Sequence, residues 1–204
     1  MRAAAVAAVL SLCPLTVSAQ DTAKAESVAK QVCAACHAAD GNSAASANPK
    51  IAGQIAEYLD KQLRDFKPQG GKKPARESAV MTGMVANLSE ADMKGLAAYY
   101  AGQALRPAAA ADKDLAQLGQ RLWRAGNLAT GVPACAGCHG PAGAGIPSQY
   151  PRLGGQFAEY VAAQLKAFQD GRRANDANAV MRSVAANLTE REIRALAEYA
   201  AGLR

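Results

Sequence analysis

Apolar side chains recur at helical spacing in two matched sets, one in each half of the chain. Ile55, Tyr58, Leu59, Leu63 and Phe66 are spaced like Phe157, Tyr160, Val161, Leu165 and Phe168, so each set predicts an amphipathic helix. A second matched pair follows. Met93, Leu96, Ala97 and Tyr100 form one apolar face, and Ile193, Leu196, Ala197 and Ala200 form its counterpart. Ser89 with Asp92, and Thr189 with Glu192, stand where a capping box would open these closing helices, and Gly102 and Gly202 match as their stops. A leading helix is predicted in each half as well, over Lys24 to Val32 with Val28 and Val32 on one face, and around Leu115, Leu118, Leu122 and Trp123. Glycine-rich and polar stretches join these elements. Leu105 to Ala111 reads as a linker, extended or beginning the next helix, and a stretch around Gly126 to Pro133 is present in the second half alone. Alanine is abundant, and β-branched or aromatic runs are scarce, which predicts an all-α chain of short helices.

At 204 residues the chain accommodates one medium domain or two small ones, and the repeat favours two. The expected division is a signal peptide over residues 1–19, an N-terminal domain over 20–104, a linker over 105–112 and a C-terminal domain over 113–204. Met1-Arg2, an apolar run from Ala3 to Val17 and the small residues of Val17-Ser18-Ala19 have the form of an export signal cleaved after Ala19. A spanning anchor fits less well, since the run is shorter than about 20 residues and is broken at Pro14. Cys13 falls inside this segment, where the bulky Leu12 before it argues against lipid attachment. Four cysteines then remain in the mature chain.

Those four make two copies of one motif, Cys33-Ala34-Ala35-Cys36-His37 and Cys135-Ala136-Gly137-Cys138-His139. C-x-x-C-H is the attachment signature of a c-type haem. Its two thiols, one helical turn apart, add to the two vinyl groups of a single haem, and the adjoining histidine turns its imidazole to the iron. Disulfides are the usual fate of exported cysteines, but they leave unexplained why the two histidines of the chain each follow a cysteine pair. A thioredoxin-like motif wants a βαβ context, and a zinc ribbon wants its second pair much closer. Two covalently bound haem c groups are therefore expected. A domain of about ninety residues buries only part of its unfolded surface, so a large apolar cofactor would supply much of each core.

Haem iron in an electron carrier commonly takes histidine on one face and methionine on the other. After residue 102 the chain holds one methionine, Met181, and the gapless match of Ala79–Leu88 with Ala179–Leu188 makes Met81 its equivalent. The axial ligands read from the repeat are thus His37 with Met81 and His139 with Met181. Met84, which matches Val184, and Met93, which matches Ile193, read better as packing residues, with Met84 the rival ligand. Pro49 and Pro151 each lie twelve residues past their histidine, in Pro49-Lys50-Ile51-Ala52-Gly53-Gln54 and Pro151-Arg152-Leu153-Gly154-Gly155-Gln156. The tyrosines and phenylalanines of the amphipathic helices read as core, with contact to a haem edge or propionate the alternative. The net charge of +6 reads as a solvated surface able to meet an acidic partner; without a basic stripe and interleaved aromatics it is no nucleic-acid footprint.

Order, spacing and duplication of these motifs resemble the di-haem cytochrome c₄ family over essentially the whole mature chain. The resemblance implies two tandem class-I cytochrome c domains related by pseudo-twofold symmetry, each wrapped around one covalent haem, with propionates facing one another across the interface. It further implies that the carbonyls of Pro49 and Pro151 accept a hydrogen bond from Nδ1 of His37 and His139, the contact that orients a ligating imidazole. The role it implies is a periplasmic electron carrier between a quinol-oxidising complex and a terminal oxidase, with peripheral membrane association possible. At roughly 20 Å between irons, one charge would shift its neighbour by about 0.8 kcal/mol at an effective dielectric near 20. Two other readings compete: the cytochrome subunit of a larger oxidoreductase such as a flavin-containing sulfide dehydrogenase, and a di-haem peroxidase. The latter wants a displaceable iron ligand, commonly with a third histidine, which the chain lacks.

Overall fold

The computed structural model describes residues 19–204, so the expected signal segment, apart from Ala19, and Cys13 lie outside the described residues. The chain is helical throughout; its nearest approach to a sheet, among the described residues, is three isolated antiparallel bridges. No helix of the described residues is long and apolar enough to cross a membrane.

In the first half, α1 (Ala19–Val28) runs into a π-helical turn (Ala29–Cys33) and on into α2 (Ala34–His37). The leading helix therefore begins earlier than its apolar pattern predicts, and the wider turn rotates its faces. Ala25 and Ala29 take the core positions while Val32 points to solvent, which corrects the expectation that Val28 and Val32 share a buried face. After a loop come α3 (Ala56–Phe66), α4 (Ala79–Val85) and α5 (Glu90–Ala101). α5 packs on both α1 and α3. Its predicted apolar face is buried in full: Met93, Leu96, Ala97 and Tyr100, three of them in one cluster with Ala29 and Leu59.

The second half repeats the arrangement with α6 (Lys113–Ala125), α7 (Ala136–His139), α8 (Ala158–Gln169), a short 3₁₀ turn (Ala177–Ala179), α9 (Val180–Ala186) and α10 (Glu190–Gly202). α10 packs on α6 and α8, and Leu122, Trp123, Val161, Ile193 and Leu196 centre its core. The stretch that the first half lacks is a tight hairpin bridged between Asn127 and Val132. Val132 is buried beneath it, and Asn127 Nδ2 donates to Glu192 Oε1 at the start of α10.

Both capping boxes form. Ser89 Oγ accepts from the Asp92 N–H and Asp92 Oδ2 from the Ser89 N–H; Thr189 and Glu192 do the same. The glycine stops work differently from expectation. Gly102 caps α5 in a right-handed conformation, and Gly202 is the last residue of α10, capped by Leu203; neither needs a left-handed turn. The linker is extended up to α6. It lies along the second half through the Ala108 N–H on the Gly155 carbonyl (2.8 Å) and the Ala111 N–H on Glu198 Oε2 (2.7 Å).

Candidate haem-binding sites and the seam between the halves

Each C-x-x-C-H motif sits on a single turn of helix that ends at its histidine. That turn hands the imidazole to a loop in which a proline lies twelve residues past each histidine. His37 Nδ1 donates to the Pro49 carbonyl at 2.9 Å, and His139 Nδ1 donates to the Pro151 carbonyl at 2.9 Å. A proton on Nδ1 leaves Nε2 with its lone pair. Burial pushes both histidines below the ordinary imidazole pKa, with the proline carbonyls opposing in part, so the rings are neutral donors at neutral pH. His139 is 5% exposed, and its Nε2 is buried with no hydrogen-bond partner. A buried polar atom left unpaired is costly, and here it is the atom that would ligate iron.

The four motif cysteines are not joined in disulfides. Burial raises the Cys33 thiol and pushes Cys135 up to about 11, so both are protonated thiols, unlike the thiolates of a metal-sulfur site. Among the described residues, no group of three or more His, Cys, Asp or Glu side chains could together hold a metal ion. Thiols for covalent attachment and one neutral imidazole per motif fit haem c.

Met81 and Met181 are half-buried at matching places on α4 and α9. Ser78 Oγ accepts from the Met81 N–H at 3.3 Å and starts α4, whereas Ala179, in a left-handed conformation, starts α9. Met93 is core at 3% exposure, but Met84 is 50% exposed, so the expectation that both pack within the protein core is corrected for Met84.

The seam between the halves was not legible as a site, and it holds a mirrored array of side-chain hydrogen bonds. Arg76 donates through Nη1 to Gln62 Oε1 (2.7 Å) and through Nη2 to Tyr160 Oη (3.0 Å) and Gln164 Oε1 (2.8 Å). Arg173 mirrors it, donating to Gln164 Oε1 (2.8 Å), Tyr58 Oη (2.9 Å) and Gln62 Oε1 (3.2 Å). Each guanidinium also lies over its own half's phenylalanine, Phe66 or Phe168, at 4.7 and 4.5 Å from the ring centre. Burial alone would raise the Tyr58 phenol, but the charges of Arg173 and Arg76 outweigh it and bring the pKa down. Tyr58 and Tyr160 are thus seam residues, not members of the two apolar clusters.

A second mirrored pair closes the other end of the seam. Gln54 Oε1 accepts from the Arg152 N–H (2.8 Å) while its Nε2 donates to the Arg152 carbonyl (2.9 Å). Gln156 Oε1 accepts from the Lys50 N–H (2.9 Å) and its Nε2 donates to the Lys50 carbonyl (2.7 Å).

The cytochrome c family profile matches residues 22–102 and again 116–203. Over 203 residues, covering 95% of this chain and 94% of the relative, the sequence is 47% identical to cytochrome c4 of Azotobacter vinelandii. It is 39% identical over 172 residues to a thiosulfate dehydrogenase electron acceptor of Thiomonas intermedia, covering 83% of this chain and 77% of the relative. The crystal structure of reduced recombinant cytochrome c4 from Pseudomonas stutzeri superposes with a TM-score of 0.83 at 43% identity, covering 89% of this chain and 98% of that one. With one cytochrome c match and one attachment motif per half, the chain belongs to the cytochrome c4 family and is a di-haem electron carrier, not an enzyme, whose two tandem domains carry two covalently bound haem c groups.

Proposed function

We propose that Cys33 and Cys36 attach one haem and Cys135 and Cys138 the other, with His37 and Met81, and His139 and Met181, as the axial iron ligands. The observation that carries this is the mirrored pair of neutral histidines, each with Nδ1 committed to a proline carbonyl and, at His139, with Nε2 buried and unpaired. The division into a signal peptide over 1–19, domains over 20–104 and 113–204 and a linker over 105–112 belongs to the same reading. The extended, docked run before α6 supports the linker.

Bound haem supplies a one-electron ferric/ferrous couple. The chain's part is to hold the ligand set fixed while the charge changes. The proline carbonyls fix the imidazole tautomer and ring orientation, and thioether sulfur from the methionines favours the ferrous state and raises the potential. With one histidine and one methionine to hold each iron, no position would remain for a substrate, which suits outer-sphere transfer to redox protein partners.

We place the protein in the periplasm, between a quinol-oxidising complex and a terminal oxidase, on the strength of the signal-like N-terminus, the chemistry of haem c attachment and the relatives' family. A second reading, service to a dehydrogenase, is favoured by the Thiomonas relative, which is described as an electron acceptor of thiosulfate dehydrogenase. Exposing the reduced protein to carbon monoxide tests the ligand set: both haems should keep their spectra, and rapid binding at either would show an open iron and sink the four-ligand assignment. Reduction of the ferric protein by a quinol-oxidising complex, set against reduction by a thiosulfate dehydrogenase, separates the two roles.

A further inference from the structure

Gln54 and Gln156 grip the peptide groups that hold the histidines, and they do so from the opposite half. The carbonyl that accepts from His37 Nδ1 belongs to Pro49, and the N–H of the same peptide unit is that of Lys50, which donates to Gln156 Oε1 at 2.9 Å. The Pro151–Arg152 peptide is held in the same way between His139 Nδ1 and Gln54 Oε1, the latter at 2.8 Å. Both glutamines are buried. Their Oε1 atoms are fixed further by the N–H of Ile55 and of Phe157, each at 3.0 Å, at the starts of α3 and α8. Gln54 and Gln156 are 9% and 8% exposed, so solvent competes little for these bonds.

The geometry points to Gln54 and Gln156 as positioning residues for the known reaction, each tuning the axial histidine, and so the potential, of the haem in the other half. This rests on the ligation by His37 and His139 proposed above. A hydrogen bond accepted from a peptide N–H polarises the amide and raises electron density on its carbonyl oxygen, and hydrogen bonds in such chains strengthen one another. The richer Pro49 carbonyl draws harder on the Nδ1 proton of His37, and an imidazole so engaged is the more basic ligand. A more basic ligand favours ferric iron. Gln156 therefore lowers the potential of the haem held at Cys33 and Cys36, and Gln54 that of the haem held at Cys135 and Cys138.

Methionine matches glutamine in length and accepts no comparable bond, so Gln156→Met and Gln54→Met remove the acceptor while filling the space. The test is a spectroelectrochemical titration of the intact di-haem protein, with each haem identified by its hyperfine-shifted methyl resonances. In Gln156→Met the ferrous-to-ferric ratio of the first-half haem, measured at its wild-type midpoint, should rise about threefold, ~28 mV at 59 mV per tenfold for one electron. The second-half haem should move far less. Gln54→Met should give the crossed result, and it keeps the question open to experiment if the other variant fails to fold. If the glutamines only seal the seam, their loss admits water, which favours ferric iron, and both midpoints fall together. That outcome, no shift, or a shift confined to the mutated residue's own half would each overturn the relay. In the ferric wild type the His37 and His139 ring protons must be hyperfine-shifted. Diamagnetic positions would overturn the ligand assignment and the relay with it, whereas shifted rings beside unmoved midpoints would overturn the relay alone.

Discussion

Methionine 84 shows what a repeat can and cannot reveal about a single residue. Two methionines three apart on α4 both sit near the expected ligand position, and the match of the halves favours Met81 because its partner in the second half is Met181. Position in a repeat says nothing about exposure, however. Met84 is expected to pack and is instead 50% exposed, because the apolar pattern of a seven-residue helix is too short to define a face. Met81→Ala should abolish the near-infrared methionine-to-iron band of the first-half haem and let carbon monoxide bind there when reduced. Met84→Ala should leave that band and the carbon monoxide response as in the wild type, with stability changed by no more than about 0.5 kcal/mol, as at other exposed sites. Loss of the band in Met84→Ala alone would reverse the ligand assignment. The histidine and cysteine assignments rest on five consecutive residues, a signal that needs no knowledge of the fold.

Among the elements, the amphipathic helices and capping boxes were legible because their signals are local, repeating within one or two turns. The π turn before Cys33 was not, since nothing in the apolar pattern marks one extra residue in a turn. Gly119 was also missed. It lies inside α6, where glycine ordinarily weakens a helix, and its reason is the crossing with α10. A Cβ built there would stand 2.0 Å from the Ala195 carbonyl oxygen and 2.7 Å from Tyr199 Cβ, so the two helices meet backbone to backbone. Gly119→Ala should cost about 1–3 kcal/mol or more, as overpacking of a tight core does, and should lower the melting temperature of the haem-loaded protein. Gly137→Ala is the control. Nothing lies within 4 Å of its added Cβ, and Ala35 occupies the same place in the first motif, so its melting temperature should hold or rise. Equal effects of the two substitutions would show that helix propensity, not the crossing, governs both.

At the scale of the whole molecule, two domains could be read from duplication, but the way they join could not. Arg76 lies ten residues past Phe66 and Arg173 five past Phe168, so loops of unequal length hide an equivalence that folding restores: their N–H groups donate to the Asp65 and Ala167 carbonyls at the same place on α3 and α8. Their partners across the seam are 84 to 115 residues distant in the chain, beyond any periodic signal. Hydrogen bonds to a charged group contribute about 1.5–3 kcal/mol each, which makes this array a strong polar tie between halves whose apolar clusters are separate. Arg173→Met should therefore loosen the docking more than it unfolds either half. Calorimetry of the haem-loaded protein should resolve two transitions in place of one coupled transition, and proteolysis should begin within residues 105–112. Arg76→Met should do the same, by the mirror relation. Because both arginines share Gln62 and Gln164, the double variant should cost less than the sum of the two single ones, by about 0.5–3 kcal/mol of coupling. Strict additivity would mean that the two arginines act independently and that the seam is held by something other than this shared array.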